Sequence, residues 1–530
     1  REVDLDIQKE PFSVAGVGDM SGDVFGNGML LSPVIRLVAA FDHRDIFIDP
    51  DPDPATTLAE RQRLFALPRS SWQDFDKALI SKGGGVFPRS AKEIPVSAEA
   101  RAALGIEAEK LTPAELVTAI LKAPVDLLWF GGIGTYIRGS EETDQQVGDR
   151  ANDAVRIAGA DVRARVIGEG ANLGCTQRGR IEAARHGVRL NTDAIDNSAG
   201  VNTSDVEVNL KIALAPPVSD GRLDEPGRNT LLAAMTDDVA ALVLRNNYLQ
   251  SLALSLSERQ GASGLAQLQR LMQGLEARGR LDRAVETLPG TAEVERRIAA
   301  GEGATRPELA VLLAYAKLSF FDDLIASNVP DDPHYSDELD RYFPAEIRQR
   351  FPDAVARHRL RREIIATQLS NIVLNRCGPG AIARFADETA SGAPEIAAAY
   401  ALARDSFGLL DINAALDALD ASMPGQAQLD LYAAVQAVLV GRMSWFLRNV
   451  NLRSGIGNDV KRFRAGVEEA RAAMDQLLPA SFKEELRRRF AAWVARGVPE
   501  RMAARIVELP AIESATEAVL VAEQAKVTVR

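Results

Sequence analysis

Apolar residues take two textures along the 530-residue chain. Up to about residue 212 they form short runs bounded by glycines and polar turns; beyond it they recur at the three- and four-residue spacing of amphipathic helices. Phe12 to Gly16 reads as a buried parallel strand, Phe25 to Leu31 as a helix and Ile35 to Phe41 as a second strand, a βαβ opening. From Asp49 to Pro54 aspartate and proline alternate. Each proline holds the residue before it out of the helical region, which predicts a stiff surface loop and a solvated acidic turn. Leu58 to Leu67 is expected to be helical, and the glycine turn Lys82 to Gly85 before Val86 and Phe87 predicts an excursion from the core sheet. Thr112, Pro113 and Glu115 form a capping-box helix start, with a strand from Val125 to Phe130 behind it. Asp144 to Ile157 predicts a helix; Ala164 to Ile167, Arg189 to Asn191 and Ala194 to Ile195 predict short strands. Strands alternating with helices fit a doubly wound α/β domain over residues 1–212.

Residues 213–530 predict a mainly α-helical region with room for two packed subdomains. Pro217 and Pro226 mark the passage into it. Helical periodicity covers Arg222 to Leu252 and Ser263 to Glu286, and Thr305 to Glu308 is a second cap before Leu309 to Phe320. After a break at Asn328 to Pro333, helices are expected over Leu360 to Leu374, Tyr432 to Leu447, Asp459 to Leu478 and Ala491 to Glu508.

Composition narrows the classes. A 46% hydrophobic chain of this length has ample material for more than one core, and a formal charge of -12 disfavours nucleic acid and anionic membrane as partners. Cys175 and Cys377 are too few for a disulfide scaffold or a cysteine metal cluster, and His43, His186, His334 and His358 lack metal-like spacing, so no metal is expected. No apolar run is long enough to cross a bilayer. A cytoplasmic location is expected. The chain lacks an initiator Met and enters a nucleotide-binding strand almost at once, which suggests that part of a larger enzyme precedes it.

The first glycine cluster carries the strongest chemical signal. In Gly16-Val17-Gly18-Asp19-Met20-Ser21-Gly22, Gly16 permits a sharp turn, Gly18 leaves room for a diphosphate, and helix-start amides can receive its charge. This makes the opening a Rossmann-like dinucleotide-binding domain, although the third glycine stands one residue late. Asp42 ends the second strand at the offset of a carboxylate that binds an adenosine ribose diol, which favours NAD over a phosphorylated ribose. Gly131 and Gly132 follow one strand and Asn172 another, where open sheets place their ligands; both are candidates for the nicotinamide side. Asn197 and Ser204 stand in a loop that leads into a helix, either as caps or as carboxylate ligands.

Val14 to Leu30, Leu79 to Ser81, Gly83 to Ser90, Glu169 to Asn172, Asn197 to Asp205 with Glu207, and Arg362 to Thr367 together resemble the large bacterial NAD-specific glutamate dehydrogenases. The resemblance implies interconversion of L-glutamate and NAD with 2-oxoglutarate, ammonia and NADH. It implies Gly16, Gly18 and Gly22 on the pyrophosphate, Asp42 on the ribose, Asn172 and Asn197 near the nicotinamide, and Ser204 at a substrate carboxylate. Asp19, Met20 and Ser21 join the cofactor loop, and a homo-oligomer is expected. The family's substrate domain, with its catalytic lysine and aspartate, is expected upstream in the same polypeptide, so no catalytic residue is assigned here and this part alone is expected to be inactive. Lys82 matches a different family segment. The alternatives are another NAD-linked amino-acid dehydrogenase, or a non-catalytic nucleotide-sensing or assembly module.

Overall fold

The computed structural model describes residues 3–420, 422–453 and 455–527. Its first part is built on a mixed six-stranded sheet: β1 (Phe12–Val17), β2 (Ile35–Phe41), β3 (Asp45–Ile48), β4 (Gly85–Pro88), β5 (Leu127–Phe130) and β6 (Val166–Glu169). The order is β6-β5-β1-β2-β3-β4. β6, β5, β1 and β2 are parallel, while β3 and β4 add antiparallel pairs at one edge. The chain leaves β1 for β2 on one side and later returns to β5 on the other. The winding therefore reverses at β1 and β5, where an open sheet leaves a crevice beyond its strand ends.

β1 is apolar except for Ser13, whose amide and hydroxyl donate to Asp126, because both of its faces are covered. Phe12 and Val14 join a core with Phe25, Met29 and Trp72, whereas Ala15 and Val17 face Leu116 and Ile120 of the helix Pro113–Leu121. That helix starts on the anticipated Thr112–Glu115 capping box. Short helix α1 (Asp23–Gly28) follows the glycine turn.

Several local expectations need correction. Gly85–Pro88 is not an excursion but edge strand β4, reached through the unanticipated hairpin strand β3. The Asp-Pro segment is not wholly solvated: Asp49 is fully buried, accepting bonds from the Ser81 amide and hydroxyl, and Asp53 caps the helix Pro54–Ala66. Asp144–Val147 makes a single helical turn, because Gly148 at φ 79° turns the chain left-handed and ends it. Arg189 contributes only an isolated bridge to Val166, and Ala194 and Ile195 lie in the helical turn Asp193–Asp196. The segment expected as a loop after Asn197 is already helix, Ser198–Ser219, which continues through Pro216 and Pro217 in its last turn.

The rest is helical. One hydrophobic cluster runs from Ile195 to Val519, while the buried residues of the sheet cores end at Leu190. The anticipated helices appear as Arg306–Ile325, Arg361–Cys377, Gly425–Asn449 and Ile456–Leu477; Ala480–Ala495 and Glu500–Ile512 are separated by a turn at Gly497. No helix among the described residues is long and apolar enough to cross a membrane.

Candidate functional site

A cleft of about 670 Å³ opens over the C-terminal ends of the parallel strands. Its lining follows from the topology. Val17, Gly18, Asp19 and Gly22 come from the turn after β1, Asp42 and His43 from the end of β2, Gly131 to Tyr136 from the loop after β5, and Asn172 and Leu173 from the loop after β6.

Gly18 shapes the floor. Its φ of +135° is one that residues with a side chain rarely adopt, and a Cβ there would stand 2.4 Å from Phe25 Cβ. Its N–H donates to the Phe41 carbonyl at 2.8 Å, and its own carbonyl accepts from the Trp72 indole at 3.0 Å. The Gly18 amide is therefore occupied, and the glycine acts through the space it leaves. Gly16 has a different task from the sharp turn expected of it: it sits inside β1, and a Cβ there would be 2.3 Å from the Trp129 carbonyl. Gly131 lets α1 approach, since a Cβ would meet Phe25 Cα at 2.6 Å. Helix α1 has only six residues, so its dipole adds little and the cleft walls must hold any ligand.

Asp42 is the most informative side chain. It is 7% exposed; Oδ1 accepts the amides of Arg44 at 2.6 Å and Asp45 at 2.7 Å, closing the β2–β3 turn. Oδ2 is buried without a hydrogen-bond partner. An unmet buried carboxylate oxygen costs free energy, on the order of 1–3 kcal/mol or more, so a donor on a bound ligand is favoured there. Arg89 at the end of β4 lines the same corner and donates to the Asp42 carbonyl at 2.9 Å.

Of the two asparagines proposed from the sequence, Asn172 lines the cleft and Asn197 stands just behind it, its Nδ2 donating to Asn172 Oδ1 at 3.2 Å across 25 positions of sequence. Ile133 is 93% exposed, and Leu173 is a bulky residue at φ +66°. Both give the cleft apolar lips. Asp149 accepts the Thr135 amide at 2.8 Å and the Asn152 amide group at 2.7 Å. Burial works against its ionisation, but these bonds and Arg156 hold its carboxyl below the usual range. Beneath the wall, Glu169 is fully buried; burial pushes its carboxyl up, while Arg180 clamps it through two bonds of 2.7 and 2.8 Å. That pair fixes the end of β6.

Of the other sequence candidates, Met20 is fully buried in the core, and the Ser21 hydroxyl is bonded to Asp19 Oδ1 at 2.9 Å. Neither lines the cleft. Ser204 is exposed in the second turn of the helix Ser198–Ser219, away from its first amides, and is not in the lining either. Lys82 is exposed and paired with Glu99 at 2.7 Å. Ile133 belongs to the anticipated loop after β5, whereas His43, Arg89, Asp149 and Asn152 line the cleft unanticipated. Their placement depends on the edge strands and on the broken helix after residue 143, which no local pattern reveals. No metal-ligating group of His, Cys, Asp and Glu occurs among the described residues.

Residues 1–257 match the family profile described as bacterial NAD-glutamate dehydrogenase, catalytic domain, and residues 301–530 match one described as glutamate dehydrogenase, C-terminal. A Pseudomonas aeruginosa protein described as NAD-specific glutamate dehydrogenase is 47% identical over 95% of this chain and 31% of its own length. Proteins with the same description from Halomonas elongata and Mycobacterium tuberculosis are 46% and 44% identical, over 99% and 96% of this chain and 32% and 31% of their own lengths. The chain thus spans about a third of these relatives.

Proposed function

The chain belongs to the bacterial NAD-specific glutamate dehydrogenase family, and on that premise we propose that its cleft holds NAD during interconversion of L-glutamate with 2-oxoglutarate and ammonia. The observation that carries this reading is the unpartnered Asp42 Oδ2 at the end of β2. A ribose hydroxyl would supply the missing donor, and a phosphate in its place would meet a like charge. The diphosphate would lie over Gly18, between Gly22 and the Gly131–Gly132 turn, with Arg89 as the arginine of the lining. The nicotinamide would extend toward Asn172 and Asn197, its ring against Ile133 and Leu173. Gly16 supports this loop from within the strand; Asp19, Met20 and Ser21 form its backbone.

We take residues 1–212 as a Rossmann-like coenzyme-binding unit, and 213–530 as a helical region that braces it. NAD, when bound, accepts the hydride from glutamate Cα; this chain's residues orient the coenzyme and keep water from one face of it. Deprotonation of the amine and hydrolysis of the imine require a base and a substrate pocket, and no residue of the cleft is assigned to them. Ser204, exposed on its helix, would touch a substrate carboxylate only where a further domain closes over it. A cytoplasmic homo-oligomer is part of the same proposal.

The test compares this chain with the full-length polypeptide for NADH formation from L-glutamate, with NADP and other amino acids as controls. The full-length protein is expected to turn over glutamate with NAD and this chain to be inactive. Preference for another amino acid would contradict the substrate assignment.

A further inference from the structure

The helical region contains a second cleft, of about 530 Å³, within the size range of small-molecule sites. It lies between the helices Thr236–Glu258, Arg361–Cys377, Ala393–Ser406 and Gly425–Asn449. Five arginines line it, Arg245, Arg341, Arg348, Arg376 and Arg404, against the single acid Asp238. Three of the five are already neutralised: Arg341 and Arg404 converge on Glu338, and Arg245 pairs with Asp417.

Arg348 and Arg376 differ. The Arg348 guanidinium has no ionic or hydrogen-bond partner among the described residues; its backbone N–H donates to the Pro344 carbonyl. The side chain of Arg376 is 9% exposed, and its guanidinium makes no hydrogen bond to a described residue. Its nearest acid, Asp417, is 3.8 Å away and is shared with Arg245 and the Tyr432 hydroxyl. The Tyr400 hydroxyl and the Gln368 amide face the same space, likewise without a hydrogen-bond partner among the described residues. A buried guanidinium with unmet donors is costly, and folded proteins satisfy such groups with an anion or with ordered water. Convergent donors on an otherwise apolar wall fit a ligand that carries anionic oxygens on a short carbon frame.

We propose that this cleft binds a small organic anion, a carboxylate- or phosphate-bearing metabolite, whose oxygens are held by Arg376, Tyr400 and Arg348 while Leu242, Ile372 and Leu439 contact its carbon frame. The site is separate from the nucleotide cleft and does not depend on what that cleft binds.

Isothermal titration of this chain with sodium succinate and with inorganic pyrophosphate, each against sodium chloride of matched ionic strength, tests it. At least one probe is expected to saturate a single site. Tyr400→Phe removes only a hydroxyl that lacks a protein partner, so it should melt like the parent and yet weaken binding about tenfold or more. Arg376→Gln should do the same, and Lys82→Gln, which removes a distant surface charge, should change nothing. Saturation by succinate alone assigns a carboxylate ligand, and by pyrophosphate alone a phosphate. Absence of binding above the salt control, or affinity unchanged in both Tyr400→Phe and Arg376→Gln, overturns the proposal and leaves the donors to water.

Discussion

At the scale of single residues, Asp42 has two tasks that can be separated. Oδ1 holds the β2–β3 turn, while Oδ2 is buried at the cleft lining without a partner. Asp42→Asn keeps an acceptor for the Arg44 and Asp45 amides and replaces the other oxygen with a donor. NAD affinity is expected to fall at least about tenfold, as for loss of a hydrogen bond to a charged group, with little change in melting temperature; unchanged affinity in a calorimetric titration would remove the ribose role. Lys317 makes a prediction of a different kind. Burial pushes its amine down to about 7, and its hydrogen-bond partner among the described residues is Gln250, at 3.3 Å. Between that value and the ordinary 10.5 the unfolded chain binds the extra proton, so the lysine's penalty on stability shrinks as pH rises from about 7 and is constant below it. Lys317→Met should therefore stabilise the protein most at and below neutral pH, with the gain fading toward pH 10 in urea titrations; a gain independent of pH would contradict the buried-amine account.

At the scale of elements, three glycines, Gly28, Gly168 and Gly170, form a bed for the Trp129 indole, and a fourth, Gly16, lies against that residue's backbone carbonyl. A Cβ at Gly16, Gly28, Gly168 or Gly170 would lie between 2.3 and 3.2 Å from an atom of Trp129. The strands on either side of β5 thus carry glycine at the positions paired with Trp129, Gly16 in β1 and Gly168 in β6, which fits the register of the three strands. Gly168→Ala would place its Cβ 2.7 Å from the ring. A loss of about 1–3 kcal/mol is expected, as for overpacking, together with a shift in tryptophan emission; a variant as stable as the parent would show that the indole has other room. This is also where the sequence was legible only in part. The apolar run of β1, the strand Ile35–Phe41 and the Thr112 and Thr305 capping boxes announce themselves through local chemistry. The glycine cluster revealed that a backbone must come close, but not to what: Gly16 and Gly168 serve Trp129, and of the first cluster's three glycines Gly18 and Gly22 reach the cleft. Strands β3 and β4 have four residues each, too short for a periodicity to declare them; β3 forms a tight hairpin on β2, while β4 finds β3 across 37 or more positions. The Asp144 helix failed because one left-handed glycine outweighed a favourable composition.

At the scale of the whole molecule, the sheet and the helices are fastened at Arg306. Its guanidinium donates to Asn191 Oδ1 at 3.0 and 3.1 Å and to Ser255 Oγ at 3.0 Å, and Arg189 pairs with Glu258 at 2.9 Å. The segment Arg189 to Asn191, which bridges the start of β6 at Val166, is thereby tied to the helix Thr236–Glu258, which also contributes Asn247 to the Ile195 carbonyl at 2.7 Å. The most direct test is a crystal of this chain soaked in NAD. Density for the diphosphate over Gly18, with the adenosine ribose against Asp42, is the expected result. A cleft that stays empty at saturating NAD, or a dinucleotide seated elsewhere, would contradict the account.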